Sequence, residues 1–252
     1  MTDHSTTPGD AVLYASEDRI ATITLNRAEA HNRLDHDIVA GLEAAWRRFA
    51  ASDDLVAVLT AAGRNFTVGA DLNDIPHDLY RGIPGMGVPV DKPVIGAVRG
   101  WCVGGGMVLT TMCDLLVAAR TARFSYPEVK VGFSGGLISN LAARIPHKIA
   151  MELLLVGEPV SAERAYEVGY VNRLVDEGGE AAAALELAQR IRAAAPLAVS
   201  MLKRFAAQVL PQGPSERAAA ARVQVDAVNT SADGAEGMAA FRDKRPPVFR
   251  GE

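Results

Sequence analysis

Cysteine is nearly absent from this chain: Cys102 and Cys113 are the two in 252 residues, and they form no C-x-x-C pair. Two isolated thiols suit a reduced, intracellular protein rather than a disulfide scaffold. No run approaches the roughly 18 uncharged apolar residues that cross a bilayer. The start, MTDHSTTPGD, lacks the basic-then-apolar order of a secretory signal, so a cytoplasmic location with no membrane partner is expected. With a net charge of −4 and no dense Lys/Arg block, a nucleic-acid surface is disfavoured. His4, His31, His36, His77 and His147 show no metal-ligand spacing with partner carboxylates, and no metal is expected. G-x-G-x-x-G is missing too, which argues against a dinucleotide site.

What is present is ample core. A 49% hydrophobic chain of this length makes one large domain, or one domain with a helical appendage. Residues 1–10 read as a disordered leader. Val12–Tyr14 and Ile20–Leu25 alternate as a hairpin does, with Ser16–Asp18 as the turn. After a loop over residues 27–34, Asp35 reads as the N-cap of a helix whose apolar face is Ile38, Leu42, Ala45, Trp46 and Phe49. Leu55–Thr60 is a strand. Residues 73–91 hold three prolines and three glycines, the composition of a mobile loop or short lid. Helices follow at Ile149–Val156, after Ser161 as far as Gly169, and at Ala181–Ala195, Leu197–Leu210 and Ser215–Thr230. Their many alanines imply close packing, including between subunits. The tail, with Phe241, Val248 and Phe249, is expected to dock back.

The most informative stretch runs from Lys92 to Leu137. Val94–Val98 and Leu115–Ala119 are apolar throughout, as strands covered on both faces are. Between them Gly104, Gly105 and Gly106 open a helix over residues 107–113, so a ligand atom can approach bare backbone whose unpaired N–H groups favour negative charge. That charge could be a phosphate or a developing oxyanion. Gly69–Ala70, after the earlier strand, is a second such signal. Glu128, following Pro127 and flanked by Phe124, Tyr126, Val129 and Val131, is a candidate general base in apolar surroundings. Two backbone donors and one carboxylate are the minimum for removing a proton next to a carbonyl. Asp71 and Asp114 read as turn caps, and Trp101 and Met107 as core or pocket wall.

Taken jointly, ITLNRAEAHNRLD, FTVGADL, KPVIGAVRGWCVGGGMVLTTMCDLLVA, FSYPEVKVG, LLLVGEPVSAERAYEVGYVNRLV and AFRDKRPP span nearly the whole chain in order. By these segments the chain resembles the enoyl-CoA hydratase/isomerase (crotonase) superfamily. The resemblance implies an α/β fold: a crotonase-type spiral of ββα turns over residues 1–195, with a C-terminal helical trimerisation region over 196–252. It implies a homotrimer or a dimer of trimers acting on an acyl-CoA, with coenzyme A arriving as part of the substrate and no other cofactor. Oxyanion-hole amides fall at Ala70 and Gly105, and the acid/base at Glu128. Around the CoA and acyl group it places Arg27, Ala30, Val68, Gly69, Leu72, Trp101, Gly104, Pro127 and Val131. His31 lies in the same loop, as a ligand contact or an exposed side chain.

One position departs from the pattern. Two-glutamate hydratases carry their other glutamate where this chain has Val108, which cannot transfer a proton. A single base still moves a proton between carbons, so double-bond isomerisation is the first expectation and hydration by Glu128 alone the second. Acyl-CoA binding without catalysis is the third. The segment GFSGGL and the lid are short for the family, which reshapes the acyl pocket and leaves the acyl group open. A rival motif, Gly132-Phe133-Ser134-Gly135-Gly136, fits G-x-S-x-G. The one later histidine is His147, with no acid between it and Ser134, so the order of that triad fails.

Overall fold

Buried apolar strands set the frame. The computed structural model describes residues 11–132 and 134–252; the leader expected over residues 1–10 lies outside the described residues. The chain runs β1 (Val12–Glu17), β2 (Ile20–Leu25), α1 (His36–Ala51), β3 (Val56–Ala61), β4 (Val94–Val98), β5 (Trp101–Val103), α2 (Gly105–Thr111), β6 (Leu115–Ala119), β7 (Arg123–Ser125) and α3 (Glu128–Val131). It continues with α4 (His147–Val156), β8 (Val160–Ser161), α5 (Ala162–Glu167), β9 (Arg173–Val175), α6 (Glu180–Arg192), α7 (Pro196–Val209), α8 (Pro214–Asn229) and α9 (Ala232–Asp243).

Six strands form one sheet in the order β1-β2-β3-β4-β6-β9, parallel except for the β1–β2 hairpin. A second sheet holds β5-β7-β8. After β3 the chain alternates between the two: β4 joins the large sheet and β5 the small one, then β6 and β7 repeat the step across α2. This is the expected ββα spiral. The all-apolar strands follow from burial on both faces: Val56, Val58, Ile95, Ala97 and Val117 pack on Ala184 and Ala188 of α6, while Ala57, Leu59, Val94, Val98 and Leu116 face the main core. Each such Val, Leu or Ile contributes roughly 1.5–3 kcal/mol.

Local signals held where they had a physical cause. The Asp35 carboxylate accepts from the Ile38 N–H at 2.8 Å, and Ile38, Leu42, Ala45, Trp46 and Phe49 are buried. Asp71 accepts from the Asn73 N–H at a turn; Asp114, expected as a turn cap, instead accepts from the Val94 N–H at the start of β4 and from Lys203 at 2.8 Å.

Other expectations are corrected. The hairpin turn is Asp18–Arg19, both at positive φ (51° and 63°), as a two-residue turn matched to strand twist requires. The second half of the expected lid is packed in place: Ile83, Met86, Val88 and Val90 join the core, and Trp46 Nε1 donates to the Gly82 carbonyl at 2.8 Å. The tail docks through polar groups instead of apolar ones. Arg245 pairs with Glu236 at 2.6 Å, the Arg250 and Gly251 amides donate to Asp233, and Phe241, Val248 and Phe249 stay exposed.

Candidate active site

Three chain segments run parallel and end side by side. The Thr67 N–H donates to the Trp101 carbonyl at 2.9 Å and the Val103 N–H to the Thr67 carbonyl at 3.1 Å, so residues 66–68 flank β5. On the other side β5 pairs in parallel with β7, Val103 opposite Ser125, and the Gly104 N–H donates to the Ser125 carbonyl at 2.9 Å. Gly69–Ala70, Gly104–Gly105 and Tyr126–Glu128 therefore leave the carboxyl ends of adjacent strands, where a parallel sheet places its ligands.

Glycine is required at the two turns. Gly69 has φ 95° and Gly104 φ 54°, and a Cβ on Gly69 would stand 3.2 Å from the Val103 carbonyl oxygen. Leu34 ties down the first loop from outside: its N–H donates to the Gly69 carbonyl at 2.8 Å and its carbonyl accepts from Asp71 at 3.1 Å. Neither the Ala70 nor the Gly105 N–H is taken up by an acceptor among the described residues. Gly105 begins α2, where a helix leaves its first amides unpaired.

These ends open on a cavity of about 600 Å³. Of the site residues expected from sequence, Glu128, Ala70, Gly105, Val68, Gly69, Leu72, Gly104, Pro127 and Val131 line it. Arg27, Ala30 and Trp101 do not. Arg27 pairs with Asp37 at 3.2 Å, Ala30 lies in a short helical turn, and Trp101 is an exposed residue of β5. His31 shares a 3.3 Å contact with Asn65. Val108 lies on the cavity wall and is buried, so the position facing the site from α2 is apolar.

The sequence did not disclose the rest of the wall. Leu79 and Tyr80 come from the first half of the expected lid, and Ser215, Ala219 and Arg222 from α8. The spacing 215, 219, 222 marks one face of a helix, but not its destination. Asp226, one turn on, fastens that face: Arg81 donates to it at 2.7 Å and Tyr80 at 3.3 Å, while Arg222 sits 3.0 Å away. Burial raises the Asp226 carboxyl, but the Arg81 hydrogen bond with Arg222 and Tyr80 outweighs it and holds the group below the usual carboxylate range.

Glu128 begins α3, directly after Pro127, and its Oε2 is buried with no hydrogen-bond partner among the described residues. Of its expected apolar flanks, Phe124 and Tyr126 are buried, whereas Val129 and Val131 are exposed. Tyr126 is buried and lines the cavity together with Glu128 and Ser134. Burial first, then Glu128, push its pKa well above that of a free tyrosine. Ser134 follows α3 rather than a strand and accepts from the Gly136 N–H at 3.1 Å, so it lacks the strand-to-helix setting of a nucleophile elbow. Among the described residues no His/Cys/Asp/Glu group is placed to hold a metal ion, and no helix is long and apolar enough to cross a membrane.

Comparison with known proteins follows the same outline. The family model for enoyl-CoA hydratase/isomerase matches residues 15–252. The (E)-benzylidenesuccinyl-CoA hydratase of Thauera aromatica is 36% identical over 255 residues, which cover 95% of this chain and 99% of that protein. An enoyl-CoA hydratase structure from Mycobacterium tuberculosis superposes with a TM-score of 0.74 at 37% identity, covering 96% of this chain and 100% of that one. A carnitinyl-CoA dehydratase structure from Mycobacterium avium 104 gives 0.75 at 35%, with 97% and 100% covered.

Proposed function

The chain belongs to the enoyl-CoA hydratase/isomerase family of enzymes, and from that premise we propose that it moves a proton on an acyl-CoA thioester with Glu128 as its single acid–base group. The observation that carries this reading is the convergence of two untaken amides, Ala70 and Gly105, and the Glu128 carboxylate on one cavity. The thioester oxygen accepts from both amides. As Glu128 removes an α- or γ-proton, charge builds on that oxygen, and each preorganised donor is worth about 3 kcal/mol to it. Glu128 then returns the proton at the other carbon and the double bond has moved. Val108 offers no second carboxylate to hold a water, which favours isomerisation. Coenzyme A enters as part of the substrate.

Hydration by Glu128 alone is the second reading. The exposed Ser134 hydroxyl beside the site supports it, as do relatives named as hydratases and dehydratases. Assembly as a trimer or a dimer of trimers is proposed on the apolar side chains that α7 leaves exposed, Leu197, Leu202, Phe205 and Val209.

Purified protein with 3-hexenoyl-CoA and with crotonyl-CoA separates the readings. Formation of the 2-enoyl isomer, abolished in Glu128→Gln, supports the shuttle. Loss of the crotonyl-CoA absorbance without isomerisation overturns it in favour of hydration.

A further inference from the structure

The cavity wall carries one ion that the proton transfer leaves unused. Leu72, Leu79, Val108, Val131 and Leu137 make that wall largely apolar, and Glu128 is its acidic group among the described residues. Arg222 joins the same wall from α8. Its Nε pairs with Asp226 at 3.0 Å, and that carboxylate is already held by Arg81 at 2.7 Å. Arg81 has a second carboxylate, Glu43, at 3.5 Å, whereas Arg222 has no second one among the described residues. The two terminal nitrogens of Arg222 meet no acceptor there, and no ion pair joins them to Glu128. Engagement at Nε leaves the forked edge of the guanidinium open, the edge that takes a carboxylate through two parallel hydrogen bonds. In an apolar pocket, such isolated polar groups set orientation and specificity.

We propose that Arg222 receives a carboxylate carried by the acyl group, so that the substrates of this cavity are thioesters of dicarboxylic acids. The inference rests on the cavity taking an acyl-CoA, as proposed above. The thioester oxygen lies on the Ala70 and Gly105 amides beside Glu128. The second carboxylate, repelled by Glu128 and drawn to Arg222, lies against α8. The two charges give an otherwise apolar cavity a direction. The Arg222 side chain is 62% exposed, so an incoming anion reaches it without opening the wall. The CoA phosphates are the other anions such a substrate brings. Arg27, Ala30 and Trp101, the positions expected near CoA, lie outside this cavity while Arg222 lines it, which assigns Arg222 to the acyl end.

The test is calorimetric titration of the full chain with saturated thioesters matched in chain length: butyryl- with succinyl-CoA, pentanoyl- with glutaryl-CoA, and hexanoyl- with adipoyl-CoA. Saturated chains have no double bond to move or hydrate, so binding is read alone. Wild type binds the dicarboxylic member of at least one pair several-fold more tightly. In Arg222→Gln that preference reverses, because the charge now meets an apolar wall with no cation, and the ratio of the two dissociation constants changes by about tenfold or more. Arg222→Lys keeps the charge without the fork and gives an intermediate ratio; it serves if the glutamine variant does not fold. A structural role, or contact with a CoA phosphate, weakens both members of a pair alike. An unchanged ratio in the variants, or a wild type with no such preference in any pair, therefore overturns the inference alone. A wild type that binds none of these thioesters overturns the acyl-CoA reading, and this inference with it.

Discussion

Gly106 and Thr67 meet with no room between them: a Cβ on Gly106 would lie 2.3 Å from Thr67 Cγ2. Thr67 is fully buried, and its hydroxyl donates to the Asn32 carbonyl at 2.6 Å and accepts from the Gly69 N–H at 3.1 Å. The third glycine of the triplet therefore touches the residue that fixes the other glycine loop. Gly106→Ala is expected to cost about 1–3 kcal/mol of stability through overpacking. Displacing Thr67 disturbs the Gly69–Ala70 turn as well, so kcat falls further than stability alone explains. Urea denaturation beside steady-state kinetics on the same preparation measures both.

Trp46 holds the segment after residue 80 by its indole N–H on the Gly82 carbonyl. Trp46→Phe keeps most of the apolar volume and leaves that carbonyl unpaired in a buried place. The expected loss is about 1–3 kcal/mol, seen as a lower urea midpoint at unchanged slope.

Asp226 ties α8 to the 79–82 turn through Arg81 and Tyr80. A carboxyl whose folded pKa is depressed adds stability that is present above its unfolded value, near 3.8, and is lost as pH falls through the folded value. Wild type should therefore lose stability on acidification below about pH 4, and Asp226→Asn should flatten that part of the curve. Because α8 walls the cavity, the same variant should raise KM for acyl-CoA more than it lowers kcat. An unchanged KM would mean that α8 keeps its place without the latch.

Much of this was legible in the sequence because local chemistry and tertiary structure agreed. Val94–Val98 and Leu115–Ala119 are strands at their expected limits, and the α1 face and its Asp35 cap needed no tertiary information. What was not legible has physical reasons. β5, β7 and β8 are two or three residues long, too short for periodicity, and exist through pairing with one another. α9 contains Gly234 and Gly237 and went unread in the tail. In the site, Gly69, Gly104 and Gly105 announced themselves by composition. The seating of α8 on the cavity depends on Asp226 and Arg81, 145 residues apart, and no local signal carries that. Tyr126 reads as an apolar flank of Glu128, and the structure buries it on the cavity wall.

The central claim, a single carboxylate working against an enolate held by two amides, is tested most directly by α-proton exchange. Butyryl-CoA, which can neither isomerise nor hydrate, is incubated in deuterium oxide with wild type and with Glu128→Gln, and the α-methylene signal is followed by proton NMR. The account predicts steady loss of the signal with wild type and loss slowed by at least about 100-fold in Glu128→Gln. Equal exchange by the two proteins would contradict it, since another group would then be the base.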